Sequence, residues 1–334
     1  MSRSRVLEYV TDEEPGIRRR KAGRGFTYVY PDGRTVRSSA ELARIRSLAV
    51  PPAWTDVWIA RRPDGHLQAT GRDARGRKQY RYHPEWRTQR DEAKFDRLLD
   101  FAVALPKIRR RVRRDLREKE VTRDFVVAVV VRLLETSLVR VGNEEYARDN
   151  GSYGLTTLRD RHVRINGRHF DLAFAGKSGR VHTVSVHDPR LTRAVRRCRD
   201  VPGQVLFQYV DEQGRHPIRS NDVNAYLRET ADADVSAKDY RTWIGTLLAA
   251  SALATLSEPS SEREAARARN EVVAVVSGEL GNTPAVCRAS YVHPTVLTAF
   301  GTATLVERWA PPPPTTPREL IAEERRLVRL LREA

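Results

Sequence analysis

From Gly25 to Tyr82 apolar and polar residues alternate in short runs, FTYVY, VWIA, HLQAT and QYRY, broken by turn signals at Pro31-Asp32-Gly33, Pro51-Pro52 and Pro63-Asp64-Gly65. Period-two alternation between such breakers predicts strands. Between the first two runs, SSAELARIRSLAV predicts a short helix opened by Ser38 or Ser39 with Glu41 behind it. From HPEWRTQRDEAKFDR onward the period lengthens to that of a helix, which predicts a domain boundary near residue 90. FVVAVVVRLLETSLVRVG, from Phe125 to Gly142, is apolar on most faces and predicts a buried helix. HVRINGRHFDLAFAGKSGRVHTVSV returns to alternation, with Asn166-Gly167 and Lys177-Ser178-Gly179 as hairpin turns joining three strands. Ser236 with Asp239 opens a helix through about Leu256, and another runs from Glu271 to Leu280, stopped by Gly281. Thr283 caps and Pro284 opens a short helix through Tyr291. PPPPTTP at 311–317 reads as a stiff linker before an amphipathic helix, RELIAEERRLVRLLREA.

These elements predict an α+β chain: a flexible tail (1–20), a small β-rich amino-terminal domain (21–90), a larger, mainly helical domain with a short three-stranded β element (91–310), and a Pro-rich linker with a terminal helix (311–334). The longest uncharged stretch, Thr242 to Ser257, is 16 residues, whereas a membrane span needs roughly 20. No membrane association is expected. The first residues lack the apolar core of a secretory signal, and two cysteines, Cys198 and Cys287, cannot build a disulfide framework. The reducing cytoplasm is the expected compartment, with the chain associated with the nucleoid.

Charge changes the picture. The 334 residues include 60 Lys or Arg against 43 Asp or Glu, a formal net charge of +17. Residues 1–120 carry 30 basic and 17 acidic side chains, so most of the excess lies in the amino-terminal third. Such a surface releases counterions on meeting a polyanion, which makes nucleic acid the first partner to consider.

No GxxxxGK[ST] loop occurs, no HExxH is present and the cysteines lie 89 positions apart, so neither a nucleotide nor a metal site is expected and no cofactor is implied. The segment GRDARGRKQYRYHPEW interleaves Arg77, Lys78 and other cations with Tyr80 and Tyr82. Alternation puts both tyrosines on one face and Gln79 with Arg81 on the other. Either the strand offers rings and hydroxyls to DNA while its cations meet phosphates, or the tyrosines are core and the arginines solvated. Only seven of the 60 basic residues are Lys, so Lys177 at a hairpin tip suggests a site needing an ammonium that can give up its proton. An ordinary exposed turn residue is the competing reading. Arg140 closes an apolar helix and could simply complement its dipole, whereas Arg241 in the first turns of its helix opposes the positive end and calls for an anion. Tyr291 taken alone reads as a packed aromatic.

Together, LVRVGNEEYARDNGSYGLTTLRDRHV, FAGKSGRVH, AKDYRTWIGTLLAA and GNTPAVCRASYVHP resemble, in order and spacing, the catalytic boxes of type IB DNA topoisomerases of the small poxvirus-like branch found in bacteria, and GRKQYRY resembles that branch's DNA-contacting segment. The resemblance spans about residues 25–310. It implies the core shared by topoisomerase IB and tyrosine recombinases, a β-rich domain that clamps double-stranded DNA, and a monomer working without nucleotide. It also implies Tyr291 as nucleophile, Arg140 and Arg241 as phosphate-binding arginines and Lys177 as general acid. Asn282, nine residues before Tyr291, stands where viral and nuclear members have His; a neutral amide can hydrogen-bond a phosphate oxygen but carries no charge. Gln79, Tyr80, Tyr82, Arg77 and Lys78 fall on the family's amino-terminal DNA contacts, and Tyr146 and Lys238 on further residues near the cleavage site.

Two other readings stand beside it. A tyrosine recombinase would use a similar Arg, Lys, Arg and Tyr set, although KDYR replaces the usual HxxR before Arg241 and the amino-terminal region reads as β-rich. A non-catalytic basic module would bind DNA without nicking it.

Overall fold

The computed structural model describes residues 7–86, 94–176, 179–302, 305, 309 and 320–333. The chain divides into two compact units, Met1–Lys94 and Phe95–Ala334.

The first unit is a five-stranded antiparallel sheet in the order β2-β1-β3-β4-β5, made of β1 (Ile17–Ala22), β2 (Gly25–Val29), β3 (Thr55–Ile59), β4 (Leu67–Arg72) and β5 (Lys78–Tyr82). Helix α1 (Ser39–Ser47) starts where Ser38 Oγ accepts the Glu41 N–H, and buries Ile45 against Ile17, Val36, Val57, Ile59 and Ala69. The expected tail through residue 20 is corrected here. Ile17 is fully buried and β1 lies between β2 and β3, while Val10 packs with Trp58, Ala60 and Leu67, and the Trp58 indole donates to Glu14 O at 2.8 Å. The strand IRRRKA has one apolar anchor, so hydropathy gave no sign of it; its cations sit at the surface, and Arg19 lies over Phe26 at 4.1 Å.

The second unit contains α2 (Leu98–Asp115), α3 (Arg123–Ser137), α4 (Glu144–Asn150), the sheet β6-β7-β8 (Val163–Asn166, His169–Ala175, Val181–Val186), α5 (Pro189–Arg199), the hairpin β9 (Gln208–Asp211) and β10 (Gly214–Pro217), α6 (Ser220–Ala231), α7 (Ala237–Ala254), α8 (Glu262–Glu279), α9 (Pro284–Ser290), α10 (Pro294–Ala299) and α11 (Ala322–Arg332). Its centre is α3, in which Phe125 through Val131 are at most 1% exposed. This is the expected fold class: a small sheet domain, then a mainly helical domain with a three-stranded element. Among the described residues no helix is long and apolar enough to cross a membrane.

Two helix boundaries differ from expectation. Helix α3 stops at Ser137, where Leu138 turns into the left-handed region at φ 57°, instead of reaching Gly142. The apolar pattern continues because Val139 is buried in a loop, so Arg140 does not end a helix. Helix α8 begins nine residues before Glu271, capped by Ser261 Oγ accepting from Glu264 N; its first half, EREAARARN, is too polar to show an apolar period. The linker 311–317 lies outside the described residues. The terminal helix is present as α11 and buries Leu327, Val328 and Leu330.

Candidate active site

Arg140 sits in the loop that follows α3. Its carbonyl accepts the Leu155 N–H at 2.9 Å, and Val141 O accepts both the backbone N–H of Thr156 at 2.7 Å and its hydroxyl at 2.9 Å, which fixes the loop on both sides of the side chain. The Arg140 guanidinium donates to Asn282 Oδ1 and, at 3.3 Å, to Gly281 O.

Asn282 is delivered by the way α8 ends. Gly281 adopts φ +60°, its N–H donates to Gly278 O at 3.0 Å, and the Asn282 N–H donates to Ser277 O at 2.8 Å. These are the two bonds of a Schellman cap, which needs a left-handed residue where Gly281 stands. Thr283 and Pro284 then open α9, whose short length places Tyr291 one turn after Cys287, with the Tyr291 N–H donating to Cys287 O at 2.9 Å.

Arg241 is on the second turn of α7, a helix opened by Ser236 N–H and Oγ donating to Asp239. It is 4% exposed. The sequence called for an anion here, and the structure supplies partial negative charge from two helix ends: the guanidinium donates to Leu138 O after α3 and, at 2.5 Å, to Leu280 O after α8. Its Cζ lies 5.2 Å from the centre of the Tyr291 ring, and its Nε is buried without a partner. Burial, then the like charge of Arg140, lowers the Arg241 pKa from the ordinary guanidinium value. Neither arginine pairs with a carboxylate among the described residues.

Tyr291 is half-buried. Its backbone packs on α7 at Gly245, where a Cβ would stand 2.6 Å from Tyr291 O, and the Thr246 hydroxyl donates to that same oxygen at 3.3 Å. The structure thus brings Arg140, Arg241, Asn282 and Tyr291 into one cluster from four separate stretches of chain.

Lys177 lies outside the described residues. The foot of its hairpin is described: the Gly176 N–H donates to Arg180 O at 2.7 Å, and β8 begins at Val181. On that strand His182 stacks on Phe174 at 5.4 Å and lies against Gly281, where an added Cβ would approach its Cε1 to 2.8 Å. Burial first, then Arg140, Arg180 and Arg241, pushes its pKa below the ordinary value, so the ring beside the cluster is neutral at pH 7. Sequence reasoning missed His182. The available signal was a lone imidazole sharing a strand face with Val184 and Val186.

The remaining candidates are surface groups. In the first unit, β5 is an edge strand on which the Tyr80 and Tyr82 rings stack at 6.0 Å and 10°, with Tyr80 45% exposed. Lys78 pairs with Asp12 at 2.7 Å and stands 5.7 Å from the Tyr80 ring centre. Gln79 Nε2 and Arg77 both donate to Asp73, whose pKa is held at about 2, chiefly by Arg77. In the second unit, Tyr146 is exposed on α4 and Lys238 on the first turn of α7. Among the described residues no three His, Cys, Asp or Glu side chains converge as metal ligands.

A family model described as "Eukaryotic DNA topoisomerase I, catalytic core" matches residues 83–304, and one described as "Bacterial DNA topoisomerase IB, N-terminal domain" matches residues 25–73. DNA topoisomerase 1B of Acanthamoeba polyphaga mimivirus is 33% identical over 285 residues, covering 83% of this chain and 85% of that protein. DNA topoisomerase 1B of Vaccinia virus (strain Copenhagen) is 25% identical over 147 residues, covering 43% of this chain and 46% of its own. Both family models follow one another along the chain in the order of its two units, and the mimiviral likeness runs through most of its length, so the chain belongs to the type IB DNA topoisomerases and is an isomerase of that family.

Proposed function

We propose that the protein relaxes supercoiled DNA through a transient 3′-phosphotyrosyl bond at Tyr291. The supporting observation is the pair of buried or half-buried guanidiniums, free of carboxylates, gathered with an unpartnered amide nitrogen at Asn282 beside the Tyr291 ring. Two cations held by backbone and amide oxygens, with no carboxylate to neutralise them among the described residues, and an orphaned donor make a pocket suited to a phosphodiester whose negative charge grows in the transition state.

The Tyr291 oxygen bonds to phosphorus as the bond from phosphorus to the 5′-oxygen breaks, and the phenolic proton passes to water. Lys177 protonates the departing 5′-oxygen, a contribution of about 10²–10⁴-fold for general acid catalysis. Arg140, Arg241 and Asn282 hold the non-bridging oxygens, which leaves no step that needs a metal ion. One ester replaces another of similar energy, so religation needs no nucleotide, and rotation of the cut strand about the intact one removes supercoils of either sign. Tyr80, Tyr82, Gln79, Arg77 and Lys78, with Tyr146 and Lys238, contact the duplex. All five reacting residues come from one chain, in keeping with a monomer. The two free, buried thiols fit a cytoplasmic, nucleoid-associated setting.

The test is plasmid relaxation in EDTA without nucleotide. Wild type is expected to relax both signs of supercoil and to leave protein trapped on DNA after denaturation. Tyr291→Phe is expected to do neither while still binding DNA, and Lys177→Ala is expected to cleave at least 10²-fold more slowly. Relaxation by Tyr291→Phe at the wild-type rate would refute the nucleophile assignment.

A further inference from the structure

Both guanidiniums of the cluster hang on one turn. In the three residues that follow α8, Leu280 O accepts from Arg241 at 2.5 Å, Gly281 O accepts from Arg140 at 3.3 Å, and Asn282 Oδ1 accepts from Arg140 as well. A shift of this turn would carry the two arginines and the amide with it. From within, the turn is fixed by its cap, in which the Gly281 N–H donates to Gly278 O and the Asn282 N–H to Ser277 O. From outside, it leans on β8. The three heavy atoms nearest a Cβ built on Gly281 all belong to His182: Cε1 at 2.8 Å, Nε2 at 3.5 Å and Nδ1 at 3.8 Å.

The other edge of the same ring meets a second glycine. A Cβ on Gly176 would run into His182 Cδ2 and Nε2, and the Gly176 backbone is held in place by its N–H donating to Arg180 O at 2.7 Å and its carbonyl accepting the Gly179 N–H at 3.0 Å. The imidazole is thus a spacer between two bare backbones, a close approach that only glycine permits on either side. Buried Phe174 stacks on its face at 5.4 Å and 14°. The ring nitrogens make no hydrogen bond or ion pair among the described residues, so what the side chain supplies to its neighbours is flat, rigid volume. A neutral ring suits the place, because a cation there would meet Arg140, Arg180 and Arg241, the same groups that, after burial, hold its pKa down.

We propose that His182 is a positioning residue of the active site: by filling the gap between Gly176 and Gly281 it sets the 280–282 turn, and through that turn Arg140, Arg241 and the Asn282 amide, where the phosphate needs them. It acts through these groups and does not touch the reacting atoms. The proposal rests on the reaction given above for Tyr291. Close-packed interiors transmit small displacements, and a misplacement of about 1 Å costs on the order of 10²-fold in rate.

The experiment reads the turn and the reaction separately. Single-turnover cleavage of a short duplex by His182→Ala is expected to fall about 10-fold or more with duplex affinity unchanged, whereas His182→Gln, a flat amide of similar reach, stays within about fivefold of wild type. In the Asn282→Ala background the same His182→Ala change is expected to cost at least about threefold less than in wild type, because one of the groups it positions is gone. A duplex with sulfur as the bridging 5′ atom at the scissile phosphate releases a thiolate, which leaves without a proton, and the His182→Ala loss is expected to persist on it. Hydrogen–deuterium exchange without DNA is expected to be about 10-fold or more faster at residues 278–284 in His182→Ala, with α3 as slow as in wild type. Wild type unable to cleave DNA would refute the reaction at Tyr291, while the exchange measurement would still decide whether His182 sets the turn. A smaller loss in His182→Ala, a glutamine variant as slow as the alanine one, additive losses in the double variant, or unchanged exchange at 278–284 would each overturn the proposal. Disappearance of the loss on the sulfur duplex would trace the effect to protonation of the leaving group and overturn it as well.

Discussion

Arg140 donates to Oδ1 of Asn282, and the Asn282 amide nitrogen is buried with no acceptor among the described residues. A buried donor without an acceptor costs about 1–3 kcal/mol, so the site holds an unmet demand for an oxygen where the proposed reaction brings a phosphate. Asn282→Ala is expected to slow single-turnover cleavage of a short duplex about 10²–10³-fold, the usual loss for one transition-state donor. Asn282→Asp is expected to be slower still, because its carboxylate repels the phosphate, while pairing with Arg140 keeps its thermal unfolding at or above that of wild type. Cleavage by the Asp variant that matches the Ala variant would remove the amide from this role.

Gly245 is where the Tyr291 backbone leans on α7. A methyl group there would stand 2.6 Å from Tyr291 O and 3.3 Å from Tyr291 Cβ. Alanine favours a helix over glycine by about 1 kcal/mol, so a purely helical effect would stabilise the protein. Gly245→Ala is instead expected to cut cleavage at least 10-fold by displacing Tyr291, with duplex affinity unchanged in a filter-binding assay. Unimpaired cleavage would show that the backbone can retreat.

His182 carries the acid-side prediction. Its folded pKa lies below the ordinary 6.5, chiefly through burial and then through Arg140, Arg180 and Arg241. Below that pH the unfolded chain takes up a proton that the folded one resists, so this part of the stability is complete above about 6.5 and is lost as pH falls through the folded value. Urea unfolding from pH 7.5 to 5 should show His182→Gln losing less stability than wild type. His162, also lowered chiefly by burial, keeps its own share of the acid sensitivity in both proteins. Parallel curves would sink the assignment.

Glu324 on α11 accepts two bonds from Arg109 at 2.8 Å, one from the Trp243 indole at 3.2 Å and the Ile321 N–H at 3.0 Å. Although burial opposes its charge, Arg109 is raised above the ordinary guanidinium value by Glu324 and Glu135. Breaking a buried pair costs about 3–5 kcal/mol, and Glu324→Ala is expected near the lower end because Glu135 still holds Arg109. Denaturant unfolding measures it; a change under 1 kcal/mol would mean that α11 is only loosely attached.

Much of this was legible in the chain because breakers and periods were unambiguous. Pro-Asp-Gly and Asn-Gly turns marked the strands of both sheets, and Thr283-Pro284 marked the helix before Tyr291. Strand β1 was hidden because three arginines and a lysine occupy it, and the first half of α8 for the same reason. The end of α3 was hidden for the opposite reason: Leu138, Val139 and Val141 keep the apolar pattern while Leu138 turns left-handed. His182 escaped notice because a single imidazole on a strand has no spacing to betray it. The carbonyl partners of Arg241 were likewise invisible, since they are backbone atoms brought in by two distant helix ends.

The docking of α11 sets an order on manufacture. Its carboxylate completes the polar interior of α2 and α7, whose partners Arg109 and Trp243 the ribosome delivers 215 and 81 residues earlier. A nascent chain halted before Ile321 would possess Tyr291 and every residue clustered with it, yet leave the Trp243 indole without its acceptor and Arg109 half unmatched. A chain cut short late in its synthesis is thus expected to be poorly sealed and open to proteolysis.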